Sequence, residues 1–286
     1  MLRRSFIGGC RFCFEVDIRG CFSGIDHERL LALVAERVSD RRVLKLIRQW
    51  LEVGVMSEGE FQRSVVGAPQ GGVISPLLSN IYLQALDRAF GDEGHGRLVR
   101  WADDFVVMCR SEAEARAVCE LAGQVMAGLG LGLHSEEAEV VDLREGREGF
   151  DFLGCRFRAR VSGRMLERGV CRYCLHRWPS RGAMKRVRGE IEAKAGRGQA
   201  GRDIREIVAG INPILRGWGG CFCTGNAAKR FNQIDRYVMW WLGRLMRRRY
   251  GKHLRPAQWE TWTREWFEAH GLYRLRGTVR YPGYAS

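Results

Sequence analysis

Proline is scarce in this sequence, with six residues among 286, and no apolar run reaches the ~18–20 residues that a membrane-spanning helix requires. The N-terminal sequence MLRRSFIGGCRFCFEVD meets an acidic residue too early for a secretory signal, so we expect a soluble, cytoplasmic protein. Ten cysteines in a chain of this length do not indicate a disulfide scaffold, and we expect most to be reduced and buried. With 45% hydrophobic residues, the chain is globular rather than disordered.

Positive charge is concentrated in the C-terminal part of the chain. Residues 1–159 carry 20 basic and 24 acidic side chains, whereas residues 160–286 carry 27 basic and 9 acidic ones, a net charge of +18. Arginine supplies 42 of the 47 cations, and its planar guanidinium suits phosphate contacts and base stacking. This excess indicates a polyanionic partner, with nucleic acid as the first candidate and an anionic membrane surface as the second.

The first half of the chain alternates strand and helix patterns. Apolar residues alternate from Phe12 to Ile18, which predicts a strand with Asp17 on the face opposite the core. Helices are predicted after Asp26, over 43–51 with a stop at Gly54, and over 75–91 with Ser75 as the N-terminal cap.

A hairpin, a helix and two strands are predicted next. LVRWADDFVVMC predicts a β-hairpin with Asp103 and Asp104 at its turn, and Ser111 with Glu114 forms a capping box for the following helix. EVVDL and FDFLGCRF each predict a strand. The order of elements predicts an α+β domain with a mainly antiparallel sheet.

Beyond about residue 175 the pattern becomes helical and basic. Helices are predicted to start at Ser180, near Asp203, after Asn226 and near Pro256. Tryptophans 240, 241, 259, 262 and 266 are expected in the core of a helical bundle, although an exposed one can stack on an RNA base.

Three aspartates are the candidate catalytic residues. Antiparallel pairing within one sheet can bring Asp17 close to Asp103 and Asp104. Clustered carboxylates repel one another unless cations neutralise them, and hard oxygen ligands favour Mg²⁺ or Mn²⁺. Two such ions ~4 Å apart can activate an attacking 3′ oxygen and stabilise leaving pyrophosphate. An Asp-Asp pair is also an ordinary polar turn, and that alternative stays open here.

Two further features suit nucleotide binding. Phe22 follows Asp17 closely, and an aromatic ring there can lie under a sugar and exclude a 2′-hydroxyl. In GAPQGGVISPLLSNIYL, Gly71 and Gly72 permit close backbone approach, and Gln70 offers an amide to a template. Phe22 as a core residue and the glycines as loop punctuation are the alternatives.

The cysteines permit a zinc hypothesis. Cys10 and Cys13, together with Cys171 and Cys174, form two CxxC pairs with His176 nearby, and four thiolates can hold zinc. Each pair lies in or beside a predicted strand rather than on a turn, which argues for free thiols.

The motifs FEVDIRGCFSGIDH, GAPQGGVISPLLSNIYL, WADD and FDFLGC occur in the order and approximate spacing of the palm motifs of reverse transcriptases encoded by group II introns, which this chain resembles. INPILRGWGGCF and RLRGTVRYPG are similar to the maturase region of the same family. The resemblance covers nearly the whole chain. It implies a polymerase palm over 1–158 and an all-helical, basic thumb and maturase region over 159–286.

The resemblance also implies roles for individual residues. Asp17, Asp103 and Asp104, with the carbonyl of Ile18, would bind two Mg²⁺ ions, or Mn²⁺. Phe22 would be the sugar gate, and Gln70, Gly71 and Ala102 would contact template or nucleotide. The segment from Phe150 to Gly154, including Phe152 and Leu153, would be the primer grip. The residues expected to bind intron RNA are Arg181, Lys185, Arg186, Arg216, Lys229, Arg230, Arg247, Arg248 and Arg249.

The chain departs from the family pattern at several points. Trp101 stands where the family usually has tyrosine, and Glu137 stands where it has a lysine that is a candidate proton donor to pyrophosphate. The basic fingers segment upstream of Asp17 and the C-terminal HNH-type endonuclease are expected to be missing.

We therefore expect an RNA-directed DNA polymerase that also acts in intron splicing and mobility. Its partners would be group II intron RNA, an RNA template, a DNA primer and deoxynucleoside triphosphates, with no membrane. The alternative is an RNA-binding splicing factor that does not polymerise. RNA-templated RNA synthesis is a third possibility, against which Phe22 argues.

Overall fold

The computed structural model describes residues 1–52, 55–57, 60–62, 67, 73–91, 95–134, 138–251 and 261–280. The strands are β1 (Phe12–Val16), β2 (Ile18–Arg19), β3 (Val55–Ser57), β4 (Glu60–Gln62), β5 (Arg97–Trp101), β6 (Asp104–Cys109), β7 (Gly132–Leu133), β8 (Glu139–Asp142), β9 (Gly149–Phe152), β10 (Cys155–Val161) and β11 (Tyr173–Pro179). The helices are α1 (Leu2–Ile7), α2 (His27–Ala35), α3 (Arg41–Glu52), α4 (Ser75–Tyr82), α5 (Gln84–Ala89), α6 (Glu112–Gly128), α7 (Gly163–Leu166), α8 (Arg181–Ala195), α9 (Ile204–Phe222), α10 (Ala228–Tyr250) and α11 (Arg264–Ala269).

The central sheet has the strand order β5-β6-β1-β8, and its neighbouring strands are antiparallel. In the pairing of β1 with β6, Phe12 lies opposite Cys109 and Val16 lies opposite Phe105. The alternating apolar residues of both strands face the hydrophobic core, where the rings of Phe14 and Phe105 meet edge to face at 6.4 Å between centroids. The predicted α+β class and mainly antiparallel sheet are therefore confirmed.

Local cap chemistry explains where several helices begin. Asp26 accepts a hydrogen bond from the backbone N–H of Arg29 at 2.8 Å, and Ser111 accepts one from Glu114 at 3.1 Å. The caps predicted at these two residues are confirmed, because each side chain satisfies an N–H that has no partner within the helix. The Glu114 carboxylate in turn accepts from the N–H of Arg110 at 2.6 Å.

The helix predicted over 75–91 differs in two ways. Its N-terminal cap is Ile74, so the prediction of Ser75 as the cap is wrong, and Ser75 is instead the first, buried helical residue. The helix is also divided, because Leu83 has a ψ of 2° and the chain restarts as α5. The break leaves both Tyr82 and Leu83 fully buried, and the Tyr82 hydroxyl donates to the Leu129 carbonyl at 2.5 Å.

The C-terminal helices follow the predicted pattern where the structure describes them. Ser180 caps α8 by accepting from the Ala183 N–H at 3.2 Å, and Asp203 caps α9 by accepting from Arg205 at 2.7 Å. An apolar stripe at helical spacing along α10 is buried. It consists of Phe231, Ile234, Val238, Trp241, Leu242 and Leu245. The helix predicted near Pro256 and the helix stop predicted at Gly54 lie outside the described residues.

The chain divides into two compact units. One comprises Met1–Phe152 and Ala159–Leu175, and the other comprises Leu153–Arg158 and His176–Ser286. The functional division at residues 158 and 159 stays a prediction. Within the residues that the structure describes, no helix combines the length and the apolar character needed to cross a membrane.

Candidate active site

Asp17 and Asp104 lie at the same end of two neighbouring strands. Asp17 directly follows Val16, and Asp104 directly precedes Phe105, which is the partner of Val16 in the β1–β6 register. Residues that lie opposite one another in an antiparallel pair point to the same face of the sheet. The strand residues Phe105 to Cys109 are buried, whereas Asp17 and Asp104 are exposed and Asp103 is half-buried. The sheet therefore presents this acidic end to solvent.

The three carboxylates interact electrostatically. The pKa of Asp104 is raised above its usual value, first by desolvation and then by the negative charges of Asp103 and Asp17. None of the three carboxylates forms an ion pair or accepts a hydrogen bond within the described part of the chain. Among the residues that the structure describes, no cation forms an ion pair with this cluster of negative charge.

The described residues do not form a complete metal cage. Nowhere in them do three His, Cys, Asp or Glu side chains lie close enough together to hold a metal ion by themselves. A Mg²⁺ ion that acts on nucleotides is ordinarily held by one or two carboxylates, with waters and substrate phosphates completing its coordination. The donor set of exposed, uncompensated carboxylates fits that mode of binding.

Arg100 holds the hairpin turn that carries Asp103. The turn is the two-residue connection Ala102–Asp103 between β5 and β6, closed by the pairing of Trp101 with Asp104, and Ala102 has a positive φ of 55°. The Arg100 guanidinium donates to the Ala102 carbonyl at 2.8 Å and forms an ion pair with Asp87. A third bond, at 2.8 Å, reaches the Asn80 side chain on α4.

The sequence analysis missed Arg100, although it flanks the WADD motif. The Arg100 side chain is only 10% exposed, so its contacts are shielded from solvent. A charged residue at a strand position next to an acidic turn was the available signal. The aromatic residue that follows it, Trp101, is 70% exposed on the hairpin.

Gly67 brings the start of the GAPQGG motif against the loop that carries Phe22. Its N–H donates to the Ile25 carbonyl at 2.8 Å, and its carbonyl lies 2.7 Å from His27 Nε2. Gly67 has a φ of 102°, and a Cβ there would lie 2.9 Å from the Phe22 carbonyl oxygen. Only glycine fits this approach. Phe22 itself is half-buried against the core.

Four positions named in the sequence analysis lie outside the described residues. They are Gln70, Gly71, Gly72 and Glu137. Ile18, predicted to offer its carbonyl to a metal, lies in β2, which pairs with β7 rather than with the central sheet. The carbonyl of Asp17 accepts from the His134 N–H at 3.0 Å, so the chain changes strand partner at this aspartate.

The segment predicted to be the primer grip is a turn. FDFLGCRF forms two strands, β9 and β10, rather than the single predicted strand, because Leu153 and Gly154 adopt positive φ values of 48° and 71°. Phe152 is buried, whereas Leu153 is 46% exposed at the turn. The Gly154 carbonyl accepts from the N–H of Ser180, the cap residue of α8, at 2.9 Å.

The predicted RNA-binding cations lie on three helices. The exposed cations on α8 are Arg181, Lys185 and Arg186. Arg216 on α9 is also exposed, as are Lys229 and Arg247 on α10. The other three, Arg230, Arg248 and Arg249, are half-buried. Arg249 is already engaged, since its Nε donates to the Ala200 carbonyl at 3.0 Å.

The two CxxC pairs do not form a zinc site. All ten cysteines are free, and no cluster of metal ligands is present in the described ranges, which include both pairs. Cys10 and Cys13 are buried, and burial raises the pKa of each thiol, which disfavours the thiolate that zinc requires. The zinc hypothesis is therefore not supported.

Comparison with known proteins identifies the class to which this site belongs. Residues 5–157 match the family model of reverse transcriptase (RNA-dependent DNA polymerase), and residues 184–266 match the group II intron, maturase-specific domain. Because the first match covers more than half of the chain, the protein belongs to the reverse transcriptase family. Its recognised relatives include proteins encoded by group II introns.

Two relatives illustrate the extent of similarity. The chain is 41% identical over 87 residues to the group II intron-encoded protein LtrA of Lactococcus lactis, which covers 30% of this chain and 14% of LtrA. It is 30% identical over 180 residues to the protein YkfC of Escherichia coli, covering 51% of this chain and 46% of YkfC. The matches thus span less than half the length of these relatives. Among solved structures, a Candida albicans telomerase in complex with a fragment of telomeric RNA is 12% identical, with a TM-score of 0.46, covering 91% of this chain and 49% of that one.

Proposed function

We propose that the protein is an RNA-directed DNA polymerase with a second role in binding group II intron RNA. The observation that carries the proposal is the acidic end of the central sheet, where Asp104 is coupled electrostatically to Asp17 and Asp103. This arrangement stands in a chain that belongs to the reverse transcriptase family over residues 5–157.

Asp17, Asp103 and Asp104 are proposed to bind divalent metal, with Mg²⁺ as the expected ion and Mn²⁺ as an alternative. Two bound ions would supply charge stabilisation at the attacking 3′ oxygen and at the leaving pyrophosphate. The three carboxylates would hold these ions, and Arg100 fixes the turn that carries Asp103 by donating to the Ala102 carbonyl. Ile18, placed in β2, is proposed to add its carbonyl oxygen.

Phe22 is proposed to select deoxynucleotides. It lies in the loop that follows Asp17 and β2, and Gly67 holds this loop beside the start of the GAPQGG motif. A ring at this position would contact the sugar and exclude a 2′-hydroxyl. Gln70, Gly71 and Ala102 are proposed to contact template and nucleotide, and Phe152, Leu153 and Gly154 to contact the primer.

The C-terminal helices are proposed to hold intron RNA. Residues 160–286 carry a net charge of +18, and exposed cations such as Arg181 and Lys185 lie on α8. The match of residues 184–266 to the maturase-specific domain supports this role. An RNA-binding splicing factor without polymerase activity is the second candidate, and it is favoured by the same basic surface.

Primer extension separates the two candidates. The chain is incubated with poly(rA)/oligo(dT), Mg²⁺ and either dTTP or UTP, beside the variants Asp103→Ala and Phe22→Ala. We expect the wild type to extend the primer, Asp103→Ala to fail while still binding structured RNA, and Phe22→Ala to incorporate ribonucleotides more readily. If the wild type binds RNA with a steep salt dependence but extends no primer, the polymerase proposal is wrong and the splicing-factor proposal stands.

A further inference from the structure

A cleft of about 610 Å³ lies beside α10 in the C-terminal unit. Its lining includes Glu192 of α8, Gln199, and Trp240, Trp241, Arg244 and Arg248 of α10. A second cavity of about 410 Å³ shares Trp240, Arg244 and Arg248 with it and adds Arg247. Aromatic rings and guanidinium groups therefore meet along one side of this helix.

Trp240 is exposed but held in place. Its residue is 46% exposed, whereas the neighbouring Trp241 is only 8% exposed. The ring of Tyr237 stacks on Trp240 at 6.3 Å between centroids, and Trp241 meets it edge to face at 5.0 Å. The Arg244 guanidinium lies 5.1 Å from the Trp240 ring centroid. An aromatic face that is already ordered loses little conformational entropy when a ligand stacks on it.

Trp241 supplies an independent indication of a ligand. Trp241 is one of the residues that line the cleft. Its indole Nε1 is buried and has no hydrogen-bond acceptor in the portion of the chain that the structure describes. Buried polar groups are normally paired, because an unpaired donor has lost its hydrogen bonds to water without replacement. An acceptor atom of a bound molecule would satisfy this donor.

The chemistry of the cleft matches a nucleobase with its adjoining phosphates. An ordered indole offers a stacking surface, and Trp241 can donate to a base acceptor while the Glu192 carboxylate can accept from a base N–H. Glu192 repels phosphate, so the base edge rather than the backbone faces α8. Arg244 and Arg247 then remain for the phosphates.

We propose that this cleft binds one unpaired nucleobase of a structured RNA, stacked on Trp240 and flanked by phosphates at Arg244 and Arg247. The inference rests on the proposed RNA-binding role of the C-terminal helices and assigns that role a base-stacking site. This site gives Trp240 a role of its own. The cations of the region are proposed to contact phosphate, and its buried aromatic residues pack in the core.

The test compares two RNA hairpins that differ at one position. One carries a single unpaired guanosine, and the other carries an abasic ribose at that position, so both present the same phosphates. Fluorescence anisotropy measures the affinity of the full chain for each at fixed salt. We expect the wild type to bind the guanosine hairpin about tenfold more tightly, which is within the range of base–aromatic stacking.

Variants locate the preference. Trp240→Ala should abolish it while leaving the affinity for the abasic hairpin within about twofold, and Trp240→Phe should retain most of it. Trp50→Ala removes another exposed indole, 40% exposed on α3, and should change nothing. Arg236→Ala removes a charge from α10 outside the cleft. It should lower the affinity for both hairpins by the same factor or leave both affinities unchanged.

The outcomes separate this site from the broader proposal. If the wild type binds both hairpins equally with a steep salt dependence, the RNA-binding role stands and the stacking site is wrong. If Trp240→Ala lowers the affinity for both hairpins by the same factor, Trp240 affects the folding of the chain rather than base recognition, and the inference is also wrong. Binding of neither hairpin would contradict the RNA-binding role itself. A DNA hairpin with the same unpaired base that binds as tightly would overturn the assignment to RNA.

Discussion

Aspartates in this protein differ in what surrounds their carboxylates. Asp142, at the end of β8, accepts from the backbone N–H and the guanidinium of Arg144 at 2.8–3.1 Å and from Arg147 at 3.3 Å. Asp104 has no such partner in the described ranges, and the negative charges of Asp103 and Asp17 repel it. The hydrogen bonds of Asp142 stabilise the folded chain. The carboxylates around Asp104 repel one another, and a bound cation can neutralise their charge.

Asp142 makes stability depend on pH in a defined direction. Its hydrogen bonds to Arg144 lower its pKa from 3.8 to about 2, so the folded state binds the proton more weakly than the unfolded state. The resulting stabilisation is present above about pH 4 and is lost as the pH falls toward 2. Asp142→Asn should lower the free energy of unfolding at pH 7 by about 1 kcal/mol, the upper range for ion pairs whose arginines are exposed, as Arg144 and Arg147 are here.

Urea denaturation between pH 2 and pH 7 measures this effect. The difference between Asp142→Asn and the wild type should shrink as the pH falls below about 4. Glu120→Gln, at an exposed position on α6, serves as the control and should show a small, constant difference. A constant deficit for Asp142→Asn at every pH would contradict the assignment.

At the scale of elements, the β5–β6 hairpin depends on Arg100. This side chain joins the hairpin turn at Ala102 to Asp87 on α5 and to Asn80 on α4. One buried guanidinium therefore fixes the turn against two helices. Lysine keeps the charge but cannot form the same planar set of bonds.

Arg100→Lys should strongly reduce the rate of primer extension while changing the free energy of unfolding only slightly. A displacement of about 1 Å at a reacting group can cost about 10²-fold in rate, and we expect a loss of that order in kcat. Arg88→Lys is the matched control, because the partners of Arg88 among the described residues are two exposed side chains, Gln84 and Glu36. Wild-type kcat in Arg100→Lys would show that the turn holds its position without this residue.

Asp235 performs a similar role for the C-terminal segment. This buried residue, 5% exposed, accepts from the backbone N–H groups of Leu275 and Arg276 at 3.0 Å, and Arg264 lies 3.6 Å away. Leu275 is fully buried as a consequence. One carboxylate on α10 thus holds an irregular segment that has no strand or helix of its own.

Asp235→Ala should release this segment and destabilise the fold by about 3 kcal/mol, since it removes the acceptor of the Leu275 and Arg276 N–H groups and the carboxylate partner of the partly exposed Arg264. Limited trypsin digestion should then cleave after Arg274 or Arg276 faster than in the wild type. Asp235→Asn keeps one acceptor oxygen and should be intermediate. Equal cleavage rates in all three proteins would contradict the role.

At the scale of the whole molecule, the charge asymmetry predicts salt-dependent RNA binding. Net charge is −4 over residues 1–159, from 20 basic and 24 acidic side chains, and +18 over residues 160–286. Each cation that neutralises a phosphate releases a counterion, which sets the slope of log affinity against log salt concentration.

Replacing Arg181 and Lys185 by alanine should reduce the magnitude of that slope by about 1.5, at roughly 0.7–0.9 per contact. Arg37→Ala with Lys45→Ala removes the same charge from the acidic part of the chain and should leave the slope unchanged. If both double variants change the slope equally, RNA binding depends on the net charge of the chain and not on the cations of α8.

Much of the fold follows from local patterns. The apolar stripe of α10, the strand ending at Asp17, the hairpin carrying Asp103 and the caps at Asp26 and Ser180 all depend on residues a few positions apart. Such periodicities and cap bonds act within one element, so the order of residues predicts them. Three predictions are wrong. The helix at Ser75 begins one residue earlier than its cap pattern indicates, and positive φ values at Leu153 and Gly154 divide a continuous apolar strand pattern. Trp240, expected in the core, is 46% exposed.

The amino-acid sequence by itself determined most of the element types, the two-part charge distribution and the family motifs, whereas α1, β3 and β4 were not predicted. Only the tertiary structure decided that Arg100 clamps the hairpin turn, that Gly67 approaches the Phe22 carbonyl, and that Trp240 is exposed while Trp241 is buried. These properties arise from contacts between elements, and local periodicity carries no information about which distant backbone or side chain will fill the space beside a residue.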